Sequence, residues 1–316
     1  MARRRLLLLL KPFEHPMRHS RITNPQRLQM SNFLENRLKV HMDAIKFCQD
    51  ILQQKSVDWE PVFRSNLSQP IRNVDLVITV GGDGTLLQAS HFMDDSVPIL
   101  GVNSDPTQIE EVEQFSNDFD ANRSTGHLCA ATVNNFEQVL DSILEGHEAP
   151  SKLSRIVTRV NSQLLSTFAL NDLLIAHPCP AALSRFSFRI RKDDHSFSPL
   201  VNCRSSGLRV SAAAGSTAAM LSAGGFPMPI LSQDLQYMVR EPSSPGPTSS
   251  LIHGLIKSDR YMETTWFCRE GMIYIDGCHV CYPVKNGDTI EISSKAPTLK
   301  VFLPRHLLSQ NIRTAS

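Results

Sequence analysis

Long apolar runs, a skewed charge and paired cysteine motifs are all missing from this 316-residue chain. Its formal net charge is +1, from 32 Lys and Arg against 31 Asp and Glu. So even a balance argues against an electrostatically driven nucleic-acid or membrane binder. No stretch approaches the roughly 18 apolar residues of a membrane span. Arg3-Arg4-Arg5 ahead of Leu6 to Leu10 mimics a signal peptide. That apolar run stops well short of the roughly 7–15 residues of a secretory core, and no small-residue cleavage site comes after it. It reads instead as a first buried strand. Thr314-Ala315-Ser316 lacks the basic and apolar residues of a peroxisomal tripeptide, so a cytoplasmic protein is expected. Seven scattered cysteines, an odd number, suit free thiols in a reducing compartment better than a disulfide framework. The CxxC at Cys278-His279-Val280-Cys281 has no second pair at zinc spacing, so it reads as two thiols on a strand. Eleven histidines are dispersed without ligand spacing, and His91 and His127 are expected to be structural. No metal-ligand set and no internal repeat emerges.

What is present centres on Val77-Ile78-Thr79-Val80-Gly81-Gly82-Asp83-Gly84-Thr85. An apolar, β-branched run from Asp75 to Val80 enters a glycine-rich turn, and Leu86 to Phe92 reads as the start of a helix. Three glycines in four positions allow backbone conformations closed to other residues and close approach of an anion. Main-chain amides at the helix start then suit phosphate. Asp83 is the one acid in this cradle. It either caps the helix or does chemistry, by orienting or deprotonating a hydroxyl or by binding Mg²⁺.

Around this turn, Asn24-Pro25 offers an N-cap and first helical residue. Leu34, Leu38, Ile45, Cys48 and Leu52 recur at helical spacing to about Gln54. A strand near Val62 and another from Val97 to Val102 complete an alternation of strands and helices. That order predicts a doubly wound, mainly parallel sheet with its site at the carboxyl ends of the strands. Ser104 to Asn122 carries Asp105, Glu110, Glu111, Glu113, Asp118 and Asp120 with no basic residue. It reads as a solvated acidic loop, or else as a lid or partner contact. Phe136 to Gly146 is a helix with Gly146 as its stop. From Lys152 the pattern changes to short strands at 156–160, 164–169, 173–176, 186–190, 208–210, 273–275 and 289–292. The expected organisation is an α/β domain over 1–150, a mostly-β domain over 151–295 and a C-terminal segment, 296–316, weakly structured from Val301 to Ile312. Pro242 to Pro247 is a loop, and Ile275-Asp276-Gly277 a hairpin turn.

Two further stretches carry chemistry. Asn171-Asp172 interrupts an apolar run, either as a turn or as hydrogen-bonding groups for a ligand. Ala213-Ala214-Gly215-Ser216-Thr217-Ala218-Ala219 with Ser222-Ala223-Gly224-Gly225 combines small residues with hydroxyls. It suits close ligand approach or a small-residue helix on a sheet.

Gly81-Gly82-Asp83-Gly84-Thr85 resembles the signature of NAD kinases, shared more loosely with diacylglycerol and sphingosine kinases and 6-phosphofructokinases. The later stretches resemble that family's Asn-acid pair and its Gly-Ser-Thr and Ser-Ala-Gly-Gly run, in family order. Departures are Asp172 for Glu, Ala219 for Tyr, Ser206 for an acid before Gly207-Leu208, and only Gly126-His127-Leu128 echoing the family's Gly-x-Leu-Gly-Phe-Leu, after the acidic stretch. Together these look most like the plant NADH kinase branch.

The resemblance implies ATP-dependent phosphorylation of the 2′-hydroxyl of the adenosine ribose of NADH or NAD⁺. Gly81, Gly82, Gly84 and Thr85 would hold ATP phosphates with Mg²⁺, and Asp83 would be catalytic. Asn171, Asp172, Arg204, Thr217, Ala218 and Ser222 would position the dinucleotide. Losing the acid at Ser206 implies a preference for NADH over the positively charged NAD⁺. The resemblance also implies a homodimer or larger assembly, with the C-terminal segment packed back on the first domain. A lipid kinase using the same glycine turn, and a non-catalytic dinucleotide sensor, are the alternatives.

Overall fold

The computed structural model describes residues 3–12, 25–192, 196–243 and 251–309. The proposed Asn24 cap, most of the Pro242–Pro247 loop and the end of the tail lie outside them. The chain divides into two compact units, one running to Ser151 and taking in Lys300–Leu308, the other spanning Lys152–Leu299.

The first unit is built on a sheet with strands β1 (Arg5–Leu10), β2 (Asp58–Phe63), β3 (Leu76–Gly81), β4 (Pro98–Asn103) and the short β5 (Ala131–Thr132). Its central strands, β1, β3 and β4, read as apolar runs because both faces are covered, whereas its edge strand β2 has no buried residue. All six residues of β3 are buried. Helices α1 (Pro25–Gln54), α2 (Asp83–Ser90), α3 (Ile109–Phe115) and α4 (Phe136–Leu144) alternate with them. Ile45, Cys48 and Leu52 of α1, with Phe136, Leu140 and Ile143 of α4, pack on Leu8, Ile78, Leu100 and Val102. Leu86 of α2 lies on the opposite face, 3.1 Å from where a Gly101 side chain would begin. Helix α4 ends as expected at Gly146, at φ 79°. There the Gly146 amide donates to Ile143 O at 3.1 Å and the His147 amide to Ser142 O at 2.9 Å. Glycine supplies that left-handed stop at no steric cost.

The second unit is mostly β, as expected. After β6 (Ser151–Leu153), which belongs to the first sheet, its strands are β7 (Val157–Val160), β8 (Gln163–Leu164), β9 (Asp172–Ala176), β10 (Ser184–Lys192), β11 (Val201–Ser205) and β12 (Gly207–Ser211). After the four-residue helix α5 (Ala219–Ser222) come β13 (Leu235–Arg240), β14 (His253–Ile256), β15 (Arg260–Trp266), β16 (Gly271–Ile275), β17 (Val280–Val284) and β18 (Thr289–Ser293). Two six-stranded sheets form, in the orders β11-β10-β15-β18-β7-β8 and β14-β13-β12-β9-β16-β17. Phe186, Phe188, Met262, Trp266 and Ile290 of one sheet share a core with Leu173, Ile175, Leu208, Val210 and Ile273 of the other. The 164–169 strand is cut to β8 plus an isolated bridge between Ile156 and Ala169.

The tail expected to be weakly structured is instead β19 (Leu299–Phe302) and α6 (Arg305–Ser309). Lys300, Val301 and Phe302 register in parallel on Pro98, Ile99 and Leu100 of β4. The first sheet therefore runs β2-β1-β3-β4-β19-β6, with β5 beside β4. From β1 the chain passes to a neighbour on one side, and from β3 to a neighbour on the other. The crevice at the carboxyl ends of β1 and β3 is thus a topological switch point, the place where open α/β sheets take ligands.

Candidate functional site

In the first unit, β3 ends at Gly81, Gly82 is the N-cap of α2, and Asp83 is the first helical residue. Gly81 and Gly82 serve close approach and not unusual backbone conformation, which corrects the expectation: Gly81, Gly82 and Gly84 all have φ outside the left-handed region. A side chain on Gly81 would begin 2.3 Å from Thr85 Oγ1, and one on Gly82 would begin 2.2 Å from Ser124 Oγ and 2.6 Å from Ser124 Cβ. At Gly84 the nearest atom to such a carbon is Arg64 Nη1, at 3.9 Å. Thr85 is 1% exposed, and its Oγ1 has no hydrogen-bond partner among the described residues. A buried hydroxyl left unpaired costs free energy, so this one fits a ligand oxygen.

Asp83 does not cap α2. Its Oδ2 accepts the His127 amide and its Oδ1 the Leu128 amide, each at 2.9 Å. Longer contacts come from Thr125 Oγ1 at 3.5 Å and the Cys129 thiol at 3.6 Å. The carboxylate is thus held in one orientation by the loop 124–129. Burial raises the Cys129 thiol well above its ordinary range, and the adjacent Asp83 charge adds to this. Burial lowers the His127 imidazole, opposed by Asp83 and reinforced by His306.

The acidic segment explains the departure at Gly126. Asn103 Nδ2 donates to Ser124 O at 3.2 Å, and Pro106 bridges Ser124 in parallel. The chain therefore leaves β4, makes an excursion through α3 and returns beside its starting point before reaching Gly126. The solvated-loop expectation fails for Asp105 and Glu111, which pair with Arg37 of α1 and with Arg123. Both arginines, with Lys11, His41, Gly82, Asn103, Ser104 and Ser124, line a cavity of about 500 Å³ at the switch point. His41 bonds Ser104 Oγ at 2.8 Å and Lys11 O at 3.2 Å, and burial lowers its pKa. No sequence motif singles out Lys11, Arg37, His41 or Arg123. The one signal available is the placement of Lys11 at the end of the first buried strand.

In the second unit, Asn171 and Asp172 sit at the start of β9. Asp276, expected only to turn a hairpin, accepts three successive amides, Leu170 at 2.9 Å, Asn171 at 2.8 Å and Asp172 at 3.0 Å. Asp172 pairs with Arg209 of β12. Burial raises its carboxyl, Arg209 opposes this and Asp276 adds to it. Asn171 Oδ1 is buried without a hydrogen-bond partner among the described residues, a second opening for a ligand donor. Gly215 packs on the Asn171 carbonyl, 2.2 Å from where its side chain would begin. That contact brings the 213–219 stretch onto Asn171. Ser216 is fully buried, donating to Ala213 O and accepting the Met228 amide, so its hydroxyl is structural. Thr217 is half-buried, and Ala218 and Ser222 are exposed. Ser222 lines a cavity of about 590 Å³ with Arg209, Glu241 and His253.

Arg204 does not join this group. It lies on β11 in the other sheet, opposite Arg185, and lines a separate cavity with Phe267 and Ser243. Ser206, which stands where the resembled family has an acid, donates its Oγ to the Glu241 carboxylate.

A family model described as the ATP-NAD kinase N-terminal domain matches residues 2–105. The chain is 64% identical to the NADH kinase of Arabidopsis thaliana, covering 98% of each chain. It is 54% identical to a probable NADH kinase of Oryza sativa subsp. japonica, over 98% of this chain and 99% of that one. Its fold matches an NAD kinase from Archaeoglobus fulgidus in complex with ATP, at TM-score 0.65 and 18% identity over 98% and 97% of the two chains. Yeast NADH kinase complexed with NADH matches at TM-score 0.64 and 15% identity, over 99% and 87%. With identities above one half along nearly its full length, the chain belongs to the NAD kinase family.

Proposed function

We propose that this protein is an NAD(H) kinase, transferring the terminal phosphoryl of ATP to the 2′-hydroxyl of the adenosine ribose of NADH, and of NAD⁺, to give NADP(H). The observation that carries this is the Asp83 carboxylate, fixed by two main-chain amides at the first turn of α2, which also carries a buried Thr85 hydroxyl that has no hydrogen-bond partner among the described residues. The plant relatives named as NADH kinases supply the acceptor. Phosphoryl transfer passes through a loose transition state, so positioning and charge neutralisation dominate. The start of α2 and the Gly81–Gly82 turn suit donor phosphates, with Thr85 Oγ1 donating to a phosphate oxygen. Mg²⁺ arrives with ATP as part of the substrate, bound mainly through phosphate oxygens and water. Asp83 aligns the 2′-hydroxyl and accepts its proton. Amide hydrogen bonds leave lone pairs free on both carboxylate oxygens for that task.

Asn171, Asp172, Thr217, Ala218 and Ser222 hold the dinucleotide. Arg209 keeps Asp172 oriented, and the Asn171 carboxamide oxygen accepts a ligand donor. Arg204 stands apart from these five. Preference for NADH is supported by the relatives' names; the Glu241 carboxylate that Ser206 binds puts a negative charge beside that position, so the charge argument from Ser206 adds little. Self-association is supported by the exposed Leu183, Phe197, Leu200 and Phe267 near the edge strand β11. A reducing, cytoplasmic location is supported by seven free cysteines.

The test is purified protein with Mg-ATP, comparing initial rates of NADPH formation from NADH and NADP⁺ formation from NAD⁺. Product from either acceptor is expected, with the higher kcat/KM for NADH. No product from both would overturn the assignment in favour of a lipid acceptor or a non-catalytic sensor.

A further inference from the structure

The excursion after β4 ends in a compact lock. Arg37 on α1 places Nη1 3.0 Å from Asp105 and Nη2 3.4 Å from Glu111. Arg123 places Nη1 2.9 Å from the same Asp105 oxygen and pairs its other nitrogen with Glu111. Two cations and two anions thus alternate, with arginine side chains only 13% and 6% exposed. Phe33 of α1 lies under both guanidinium groups at 5.4 Å. It also packs against Phe115 and Phe119 of the excursion at 5.5 and 5.2 Å. The Arg123 amide donates to Thr107 Oγ1 at 3.0 Å, and its Nη1 donates to Pro106 O at 3.1 Å. Both ends of the excursion are therefore tied to each other and to α1.

Immediately after Arg123 the chain forms the grip on Asp83. Ser124 sits against the bare Cα of Gly82, and the stretch from Thr125 to Cys129 supplies both amide bonds and both longer contacts to the carboxylate. We infer that Arg123, held by Asp105, Glu111 and Arg37, is a positioning residue for the catalytic carboxylate: the lock sets where the 124–129 loop begins, and so where Asp83 points. This rests on the assignment of Asp83 as catalytic. The physical basis is the steep dependence of transfer on alignment, where a misplacement of about 1 Å costs up to roughly 10²-fold in rate. The two arginine side chains are largely shielded from water, so loss of either leaves two carboxylates sharing one cation and loosens the start of the loop.

The test is steady-state kinetics on Arg123→Gln, Arg123→Lys, Arg37→Gln and, as a control, Glu110→Gln, whose acid lies in the same segment outside the lock. Rates are normalised to folded protein measured by thermal melting. Arg123→Gln and Arg37→Gln are each expected to lower kcat by about 10- to 100-fold, with both KM values within about twofold of the parent. Arg123→Lys is expected to recover part of the loss, and Glu110→Gln to match the parent. Arg37→Gln keeps the question answerable if Arg123→Gln does not fold. The inference is overturned if kcat per folded molecule stays within twofold of the parent in the arginine variants, or if KM rises while kcat holds. Asp83→Asn run alongside separates the two levels. An inactive Asp83→Asn with active arginine variants removes only the positioning role, whereas an active Asp83→Asn removes the catalytic assignment and the lock's role with it.

Discussion

Replacing Asp276 by Ala removes one acceptor from three consecutive amides, those of Leu170, Asn171 and Asp172. Asp276 holds φ at 49°, and its own amide donates back to Asp172 O at 2.9 Å, so the two segments are clasped in both directions. Hydrogen bonds to a charged acceptor contribute about 1.5–3 kcal/mol each. Asp276 is half-buried, which places each bond at the low end and the three together at roughly 4 kcal/mol. For a unit of this size that is a fall of roughly 8–16 °C in Tm. Asp276→Asn keeps one acceptor oxygen but turns an NH₂ group toward an amide, so it should fall between Ala and the parent. Since Asn171 and Asp172 are held by this clasp, the KM for the dinucleotide should rise in both variants while the ATP KM stays unchanged. Differential scanning calorimetry and substrate titration measure both. An Asp276→Ala protein melting within about 2 °C of the parent would refute the clasp.

Three further outcomes separate fold from function. Gly82→Ala forces a carbon to within 2.6 Å of Ser124 Cβ, which no side-chain rotation relieves, so it should lose about 1–3 kcal/mol in denaturant unfolding. Gly84→Ala, with open space around it, should instead gain up to about 1 kcal/mol of helix stability. In the same melts, Arg209→Met should cost about 3–5 kcal/mol by stranding Asp172, and Asp172→Asn less, because burial already favours the neutral form of that carboxyl. The Asp172 pKa is raised above its unfolded value, so its contribution falls as pH rises through the acid range, and more steeply once Arg209 is gone. His41 and His127 are both held below their ordinary pKa of 6.5 by burial. His41 faces Lys11, Arg64 and Asp105, and His127 faces Asp83 and His306. The unfolded chain therefore takes up protons first as pH drops below about 6.5, and Tm should hold above that value and decline below it. Replacing either histidine by Gln should flatten the decline, as seen by melting across pH.

The sequence is most legible where local pattern and final environment agree. Strands β1, β3 and β4 are buried on both faces and read as continuous apolar runs, and α1 and α4 carry their apolar faces at helical spacing. Strands such as β15, Arg-Tyr-Met-Glu-Thr-Thr-Trp, and β11, Val-Asn-Cys-Arg-Ser, escape a sequence reading because one face is polar and neither run has a clean turn signal at both ends. The glycine turn stands where the sequence puts it, yet the reason for its glycines is visible only with Ser124 and Thr85 in place. Asp105 and Glu111 look like solvated charges because one of their partners, Arg37, lies 68 residues before Asp105. Asp276 has its acceptor role across more than 100 residues of chain, a contact no local spacing carries. Arg204 matches a motif by order, but strand β11 leaves it in the sheet opposite to the rest of the group.

The most direct measurement of the central claim is the steady-state rate of NADPH formation from NADH and Mg-ATP by Asp83→Asn, beside the parent and with binding of each substrate measured by calorimetry. The expected result is a kcat lower by about 10²–10⁴-fold, with both dissociation constants within a few-fold of the parent. An Asp83→Asn enzyme within about tenfold of the parent kcat would contradict the assignment of Asp83 as the group that aligns and deprotonates the 2′-hydroxyl.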